Sequence, residues 1–176
     1  MLTRRTNCRL CGSLHLQLSV KLPLTTIADH YREHGAKQMS LYPLDLYRCD
    51  DCGHIQLLDI LPPEILFDAE FTYMPSKNPA LIEHFKMYAD LVSRHLPDGR
   101  SKVCVDIGSN DGLFLQILEE RLGSEVLGID PANAPAEYAK SQGVETWEEF
   151  FSADTVDRIR ERFKTVDVVS ANNVFA

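Results

Sequence analysis

Four of the five cysteines form two pairs with the same spacing. Both pairs read Cys-x-x-Cys-Gly, one beginning at Cys8 and the other at Cys49. In such a knuckle a tight turn directs two thiolates toward one point, and the glycine allows the left-handed backbone that the turn needs. Two knuckles supply the four sulfur ligands that a tetrahedral zinc ion prefers. The predicted ligands of a closed, structural zinc site are Cys8, Cys11, Cys49 and Cys52.

Other interpretations of these cysteines are weaker. Two disulfides are disfavoured in a reducing cytosol. A thioredoxin-like redox site needs a single Cys-x-x-Cys, usually at the start of a helix, and would leave the second pair without a role. The fifth cysteine, Cys104, stands inside an apolar run and is predicted to be a buried core thiol.

A second group of polar residues follows two apolar runs in the C-terminal part. Gly108, Ser109 and Asn110 follow the run 102–107, and Asp130 follows the run 125–129. A glycine turn after a strand offers helix-terminal N–H groups to a ligand, and an acid that ends the next strand can accept both ribose hydroxyls of a nucleotide cofactor. Gly108 and Asp130 are 22 residues apart, close to the usual spacing of about 20.

Two residues favour one cofactor class over another. A dinucleotide turn has a second glycine where Asn110 stands, because the pyrophosphate must approach bare backbone. Asp106 lies one residue before the end of its run and would repel a pyrophosphate. S-adenosylmethionine has no phosphate and carries a sulfonium and an ammonium group, which such a carboxylate favours. We therefore expect S-adenosylmethionine rather than NAD.

Some of these residues also have simpler interpretations. Asp130 could cap a helix, with Pro131 starting the next segment. Asn172 and Asn173 follow the last apolar run, where they either form a turn or contact a cofactor or substrate at the switch point of the sheet.

The first 60 residues are predicted to be a small β-rich module. Leu14, Leu16, Leu18 and Val20 alternate with polar neighbours, as in a half-buried strand. Segments 41–47 and 54–58 flank the second knuckle as further strand, and 27–34 is helix-like. A module of this kind depends on its metal for stability.

Residues 61–101 are predicted to be a helical connector. Ser76 or Asn78 can cap a helix over 79–96, whose first turn accepts Pro79.

Residues 102–176 alternate between strand and helix. Strands are predicted at 102–107, 125–129, around Val144 and at 166–170, with helices at 113–122, 134–142 and 153–163. This order predicts an α/β fold, namely an incomplete Rossmann-like, doubly wound domain that follows the zinc-binding module.

Composition excludes several classes of protein. The 176 residues are 44% hydrophobic and 25% charged, as in ordinary globular proteins. No apolar run approaches the ~18 residues of a membrane span, and the start lacks a signal-peptide pattern, so we expect a cytoplasmic protein without a membrane partner. The net charge is −8, residues 1–60 carry +1, and no basic stripe is present. Nucleic acid is therefore not an expected partner.

The combination resembles the bacterial zinc-containing sugar C-methyltransferases, which act on nucleotide-linked 4-keto deoxysugars. The matching segments are both knuckles, Tyr42–Leu46, Gln56–Leu57, Tyr73-x-x-Ser76, Asp106–Gly112, Asp130–Pro131 and Ala171–Asn173. The resemblance implies S-adenosylmethionine as the methyl donor and a nucleotide sugar as the acceptor. It also implies that the zinc module helps to cover the active site, with Tyr73 and Ser76 facing cofactor and substrate.

In that family an enolate formed next to the sugar ketone accepts the methyl group. Tyr73 would hold the cofactor or the developing oxyanion; to act as a base it would need a pKa far below ~10. Family members continue beyond the Ala-Asn-Asn segment with a histidine, three more strands and a further domain. The chain is thus expected to be a fragment that binds zinc, binds the cofactor weakly and turns over no substrate. A missing C-terminal portion or an oligomer partner would cover the open sheet edge.

Two alternatives come from other functional classes. One is an RNA methyltransferase with a zinc-ribbon reader, which the near-neutral charge of residues 1–60 argues against. The other is a non-catalytic zinc-ribbon interaction module, which would not bind S-adenosylmethionine.

Overall fold

The chain divides into two compact units, Met1–Leu66 and Phe67–Ala176, in a computed structural model that describes residues 2–28, 39–67, 71–97 and 101–174. The first unit is β-rich and contains the four paired cysteines, and the second contains a parallel sheet with helices. The predicted α/β fold class is confirmed. The boundaries placed at residues 60 and 101 stay a prediction.

The first unit is built from short antiparallel strands. They are β1 (Thr3–Arg4), β2 (Leu16–Val20), β3 (Leu46–Cys49), β4 (Ile55–Leu57) and β5 (Asp59–Ile60), followed by helix α1 (Pro63–Leu66). β1 pairs with β5, and β2, β3 and β4 form a three-stranded sheet in that order. The register sets Leu16 opposite Cys49, which joins β2 directly to the second knuckle.

The alternation of leucines in the first unit gives a strand but not the predicted burial. Leu14, Leu18 and Val20 are exposed. Sheets this short cover little apolar surface, and among the described residues of this unit the buried apolar side chains are Leu58 and two cysteines. The helix-like segment 27–34 falls largely on residues 29–38, which lie outside the described residues.

The second unit alternates strand and helix as predicted. A 3₁₀ helix (Pro75–Lys77) precedes α2 (Pro79–Ser93). The elements that follow are, in chain order, β6 (Val103–Ile107), α3 (Leu113–Leu122), β7 (Glu125–Ile129), α4 (Asn133–Ser141), β8 (Thr146–Trp147), α5 (Ala153–Arg162) and β9 (Val168–Ser170). The four strands are parallel, in the order β8-β7-β6-β9. The strand expected around Val144 begins at Thr146, because Val144 still donates its N–H to Ala139 at the end of α4.

Two apolar clusters cover the two faces of this sheet. Alternate residues of β6 point to opposite faces. Cys104 packs with Leu115 and Leu118 of α3 and with partly buried residues of α2, whereas Val105 packs with Leu127 of β7 and with α5. The sheet is therefore doubly wound, and Cys104 is the buried core thiol that its position predicts.

Local capping fixes where the helices begin and end. The Asn78 side chain accepts a hydrogen bond from the Ala80 N–H at 2.9 Å, so one of the two predicted caps is observed. Gly123 ends α3 in the left-handed conformation. Among the described residues, none of the helices combines the length and the apolar character needed to cross a bilayer.

Candidate functional site

The four paired cysteines converge on one point of the first unit. The Sγ atoms of Cys8 and Cys52 are 3.7 Å apart, those of Cys11 and Cys49 are 3.6 Å apart, and all four lie within 4.8 Å of one another. Four sulfurs about 2.3 Å from a central zinc ion are separated by about 3.8 Å, whereas a disulfide requires about 2.05 Å. The cysteines are free thiols, so the arrangement fits a tetrahedral zinc site and not two disulfides.

The two knuckles share one backbone geometry. The N–H groups of Gly12 and Gly53 donate to the carbonyls of Cys8 and Cys49, both at 2.9 Å. The two glycines have φ values of +79° and +74°, a conformation that costs little only without a Cβ. Each knuckle therefore presents two sulfurs on an equivalent turn, as its repeated Cys-x-x-Cys-Gly spacing predicts.

The electrostatics of the cluster call for a cation. Backbone N–H groups, that of Cys11 first, lower the pKa of the Cys8 thiol to about 6. The His54 N–H acts in the same direction on Cys52, yet burial and the three neighbouring sulfurs raise the pKa of Cys52 to about 12. Because one thiolate opposes the ionisation of the next, four thiolates can coexist only around a positive charge.

A buried glutamine that the sequence did not single out as a site residue joins the knuckles. Gln56 of β4 accepts a hydrogen bond from the Arg9 N–H at 2.8 Å and donates from Nε2 to the Asn7 carbonyl at 3.1 Å. Asn7 and Arg9 flank Cys8, and Gln56 follows the second knuckle, so this side chain fixes the distance between the two pairs. The sequence signal for this role was the polar Gln56 shortly after the second knuckle.

The second candidate site surrounds the glycine turn after β6. Gly108, Asn110 and Gly112 have positive φ values of 67°, 50° and 76°. A Cβ on Gly108 would lie 2.5 Å from a methyl group of Val174, so the segment after β9 lies over the turn. The turn and the residues after β9 therefore meet at the carboxyl edge of the sheet.

The backbone N–H groups of this turn are occupied within the protein. Those of Gly108 and Ser109 donate to the Ile129 carbonyl at 2.8 and 3.3 Å, and that of Gly112 donates to Ser109 at 3.0 Å. Asn110 donates to the Asp130 carboxylate, and Asp111 donates to the Asn110 side chain, both at 2.8 Å. The turn uses these five N–H groups for its own fold, and the expectation that N–H groups at the start of the following helix face a ligand stays a prediction. Within residues 108–112 no backbone N–H group is left to bind a phosphate.

Asp130 holds the turn and the start of the next segment together. One carboxylate oxygen accepts the Asn110 N–H and the other accepts the Ala132 N–H, both at 2.8 Å. Burial raises the pKa of Asp130; these two N–H groups act in the opposite direction, and the charge of Asp111 adds to the rise. Each oxygen retains a second acceptor direction, so the carboxylate can still accept ribose hydroxyls. The hydrogen bond from the Ala132 N–H resembles the alternative in which Asp130 caps the next helix. Pro131 lies between Asp130 and Ala132.

Asp106 is a buried acid at the end of β6. It is 4% exposed and accepts a hydrogen bond from the Ser170 hydroxyl of β9 at 2.6 Å. Burial raises its pKa to about 6; the Ser170 hydroxyl opposes this shift and the charge of Asp130 reinforces it. A buried carboxylate whose ionisation is opposed in this way gains from a bound cation. Ser170 was not among the predicted site residues, because only the strand register brings it beside Asp106.

The remaining predicted residues are placed as follows. The Ser76 N–H donates to the Asp111 carboxylate at 2.9 Å, which sets the 3₁₀ helix against the glycine turn. The side-chain atoms Ser76 Oγ, Ser109 Oγ and Asn172 Nδ2 are buried without a hydrogen-bond partner in the described part of the chain. Tyr73 is exposed, two residues before the 3₁₀ helix. The predicted cofactor residues other than Tyr73 lie together at the carboxyl edge of the parallel sheet. No contact between Tyr73 and the glycine turn is seen in the described residues.

The comparisons with known proteins agree with the zinc site. Residues 8–67 match the family Methyltransf_13, described as "Putative zinc binding domain". The predicted zinc-binding module is confirmed. The chain is also 29% identical to the C-methyltransferase NovU of Streptomyces niveus over 171 residues, which are 96% of this chain and 40% of NovU. The resemblance to zinc-containing C-methyltransferases therefore holds for a chain that spans less than half the length of this relative.

Solved structures of methyltransferases match this chain only loosely. A SAM-dependent methyltransferase from Agrobacterium tumefaciens aligns with 53% of this chain and 31% of its own at 16% identity and a TM-score of 0.41. The geranyl diphosphate C-methyltransferase of Streptomyces coelicolor A3(2) covers 55% of this chain and 33% of its own, at 20% identity and a TM-score of 0.28. Scores this low support no statement about function.

Proposed function

We propose that this protein is an S-adenosylmethionine-dependent C-methyltransferase whose acceptor is a nucleotide-linked keto-deoxysugar. In this proposal the first unit binds one structural zinc ion through Cys8, Cys11, Cys49 and Cys52. The second unit binds the cofactor at the glycine turn. One observation supports the cofactor class above all: the N–H groups of the turn are used internally while buried carboxylates gather around it.

The charge of the turn distinguishes the two candidate cofactors. Asp106, Asp111 and Asp130 are at most 6% exposed; the charge of Asp130 raises the pKa of Asp106, and the charge of Asp111 raises the pKa of Asp130. A pyrophosphate would add negative charge to this region, where the N–H groups of residues 108–112 are already engaged. A sulfonium and an ammonium group would instead offset the repulsion. The second glycine that a dinucleotide needs is replaced by Asn110, whose side chain and N–H are engaged in the turn.

Each residue has a definite task under this proposal. Asp106 stabilises the positive charge of the cofactor, and Asp130 accepts the ribose hydroxyls with its remaining lone pairs. Gly108, Ser109 and Asn110 shape the turn, with Pro131 on the ribose side. The unpartnered polar atoms of Ser76 and Asn172 complete the site as hydrogen-bonding groups.

The chemistry on the acceptor follows from the similarity to a C-methyltransferase. When bound, the cofactor supplies an electrophilic methyl group to an enolate carbon next to a ketone. Tyr73 either orients the cofactor or donates a hydrogen bond to the developing enolate oxygen. A keto-deoxysugar supplies the acidified C–H bond that such a reaction requires. Its nucleotide carrier is taken from the family resemblance.

Binding measurements test the cofactor assignment directly. Calorimetric or NMR titrations of the protein should show binding of S-adenosylhomocysteine and none of NADH at matched concentrations. Asp106→Asn should weaken S-adenosylmethionine binding by about tenfold, whereas the exposed Asp157→Asn on α5 should leave it unchanged. Binding of NADH at the turn, with exclusion of the sulfonium compound, would contradict the proposal. Metal analysis should give about one zinc ion per chain.

A further inference from the structure

Asp111 is the most completely buried acid near the glycine turn, and apart from its charge it has no task in the function described above. It is 1% exposed, compared with 4% for Asp106 and 6% for Asp130. Burying a carboxylate this deeply costs free energy unless hydrogen bonds compensate for the lost water. The contacts of Asp111 therefore indicate what its burial serves.

The two carboxylate oxygens of Asp111 bind backbone groups from different parts of the unit. Oδ2 accepts the Ser76 N–H of the 3₁₀ helix at 2.9 Å, and Oδ1 lies 3.4 Å from the Leu113 N–H at the start of α3. Residues 76 and 111 are 35 positions apart in the chain. One side chain thus links a segment from before α2 to the glycine turn.

A second contact holds the same segment in place. The Lys77 ammonium group lies 4.6 Å from the centre of the Tyr138 ring on α4, within the range of a cation–π interaction. Gly112 sits against the same helix, since a Cβ there would lie 3.0 Å from the Cβ of Ala139. The 3₁₀ helix, the turn and α4 therefore form one locally fixed arrangement.

The hydroxyl of Ser76, like that of Ser109, is a group that this arrangement leaves without a partner among the described residues. Its Oγ atom is buried and has no hydrogen-bond partner among the described residues, although the N–H of the same residue is held by Asp111. A buried hydroxyl without a hydrogen-bond partner is unfavourable. The unpaired Ser76 hydroxyl beside the turn is therefore suited to hydrogen-bond a ligand.

We propose that Asp111 is a positioning residue, which holds the Ser76 hydroxyl at the glycine turn where it hydrogen-bonds the bound cofactor. Asp111 itself does not touch the cofactor; it acts through the backbone of Ser76. This inference rests on the proposed function, because it assumes that the turn binds S-adenosylmethionine.

A double-mutant cycle tests the inference. Affinity for S-adenosylhomocysteine is measured by NMR titration up to millimolar ligand for the wild type, Ser76→Ala, Asp111→Asn and the double variant. Each single variant should bind about tenfold more weakly. The double variant should be no weaker than Asp111→Asn alone, because a displaced Ser76 has no hydroxyl contact left to lose. Asp157→Asn serves as the matched control and should bind like the wild type.

Additive losses in the cycle would overturn the inference, since a merely structural role of Asp111 predicts independent effects. Wild-type affinity of Ser76→Ala would also overturn it. These outcomes leave the cofactor assignment intact, whereas failure of the wild type to bind S-adenosylhomocysteine contradicts the proposed function itself.

Amide hydrogen exchange on the ligand-free wild type keeps the inference testable if Asp111→Asn does not fold. Ser76 N–H should exchange slowly without ligand, because a carboxylate already holds it. In the same spectrum the Glu83 N–H on the exposed side of α2 provides a helix reference. Exchange of the Ser76 N–H at the rate of an unprotected amide would show that Asp111 does not hold this segment.

Discussion

The two units of this chain are stabilised in different ways. In the described part of the first unit the buried apolar side chains are Cys8, Cys49 and Leu58, and several leucines of the strands and loops are exposed. The second unit instead has two apolar clusters, one on each face of its parallel sheet. The first unit therefore depends on its metal, while the second folds through burial of apolar surface. Substitutions should affect the two units differently, and the following predictions run from the largest effect to the smallest.

Removal of one thiolate should have the largest effect. Cys49→Ser is expected to abolish zinc binding and to unfold the first unit, because the remaining thiolates no longer close the coordination sphere. Cys104→Ser, which alters an equally buried cysteine of β6, should keep the full zinc content. Metal analysis with NMR spectra of both variants separates the two cases. A Cys49→Ser protein with native amide signals in residues 2–28 would show that the metal does not stabilise this unit.

A cavity in the sheet unit should have a smaller effect, without loss of metal. Leu115 of α3 is fully buried, so Leu115→Ala should lower the free energy of unfolding of the second unit by about 2–5 kcal/mol. Leu91→Ala, at an exposed position of α2, should change it by less than about 0.5 kcal/mol. Denaturant unfolding monitored on each unit checks both values. A loss of zinc in Leu115→Ala would mean that the two units do not differ as described.

Loss of the link that Gln56 forms between the two knuckles should have the smallest effect of the three substitutions. Gln56→Ala leaves the Arg9 N–H and the Asn7 carbonyl without their side-chain partner, at a cost of about 1–3 kcal/mol to the first unit. The exposed Gln17→Ala on β2 is the matched control and should be near neutral. Competition with a chelator should extract zinc faster from Gln56→Ala than from the control. Equal extraction rates would show that Gln56 does not fix the knuckles.

The sequence was most informative where a pattern has one physical solution. Doubled Cys-x-x-Cys-Gly spacing permits few arrangements other than a four-thiolate site, and the apolar runs of β6 and β7 match buried parallel strands almost residue for residue. The exposure of Leu14 and Leu18 was not predictable, because alternation shows which residues share a face but not whether anything covers it.

The hydrogen bonds of the glycine turn were also not predictable from the sequence. The partnership of Asp106 with Ser170 depends on the register of β6 and β9, and that of Asp111 with Ser76 joins residues 35 positions apart. The use of the N–H groups within the turn follows from positive φ values at Asn110 and its neighbouring glycines. Asparagine tolerates this conformation, but its presence in a sequence does not show that it adopts it.

The proposed preference of the glycine turn for a cation is tested most directly by the pH dependence of S-adenosylmethionine binding. In the free protein burial raises the pKa of Asp106 to about 6, above its value of about 3.9 in an unfolded chain. This acid therefore favours the folded state when protonated, and its contribution to stability falls as the pH rises from about 4 to about 6. A bound cation reverses that preference. The affinity should rise between about pH 5 and about pH 7 with release of a proton, and Asp106→Asn should show a shallower rise, since the raised pKa of Asp130 remains. An affinity that stays constant or falls over this range in the wild-type protein would contradict the account.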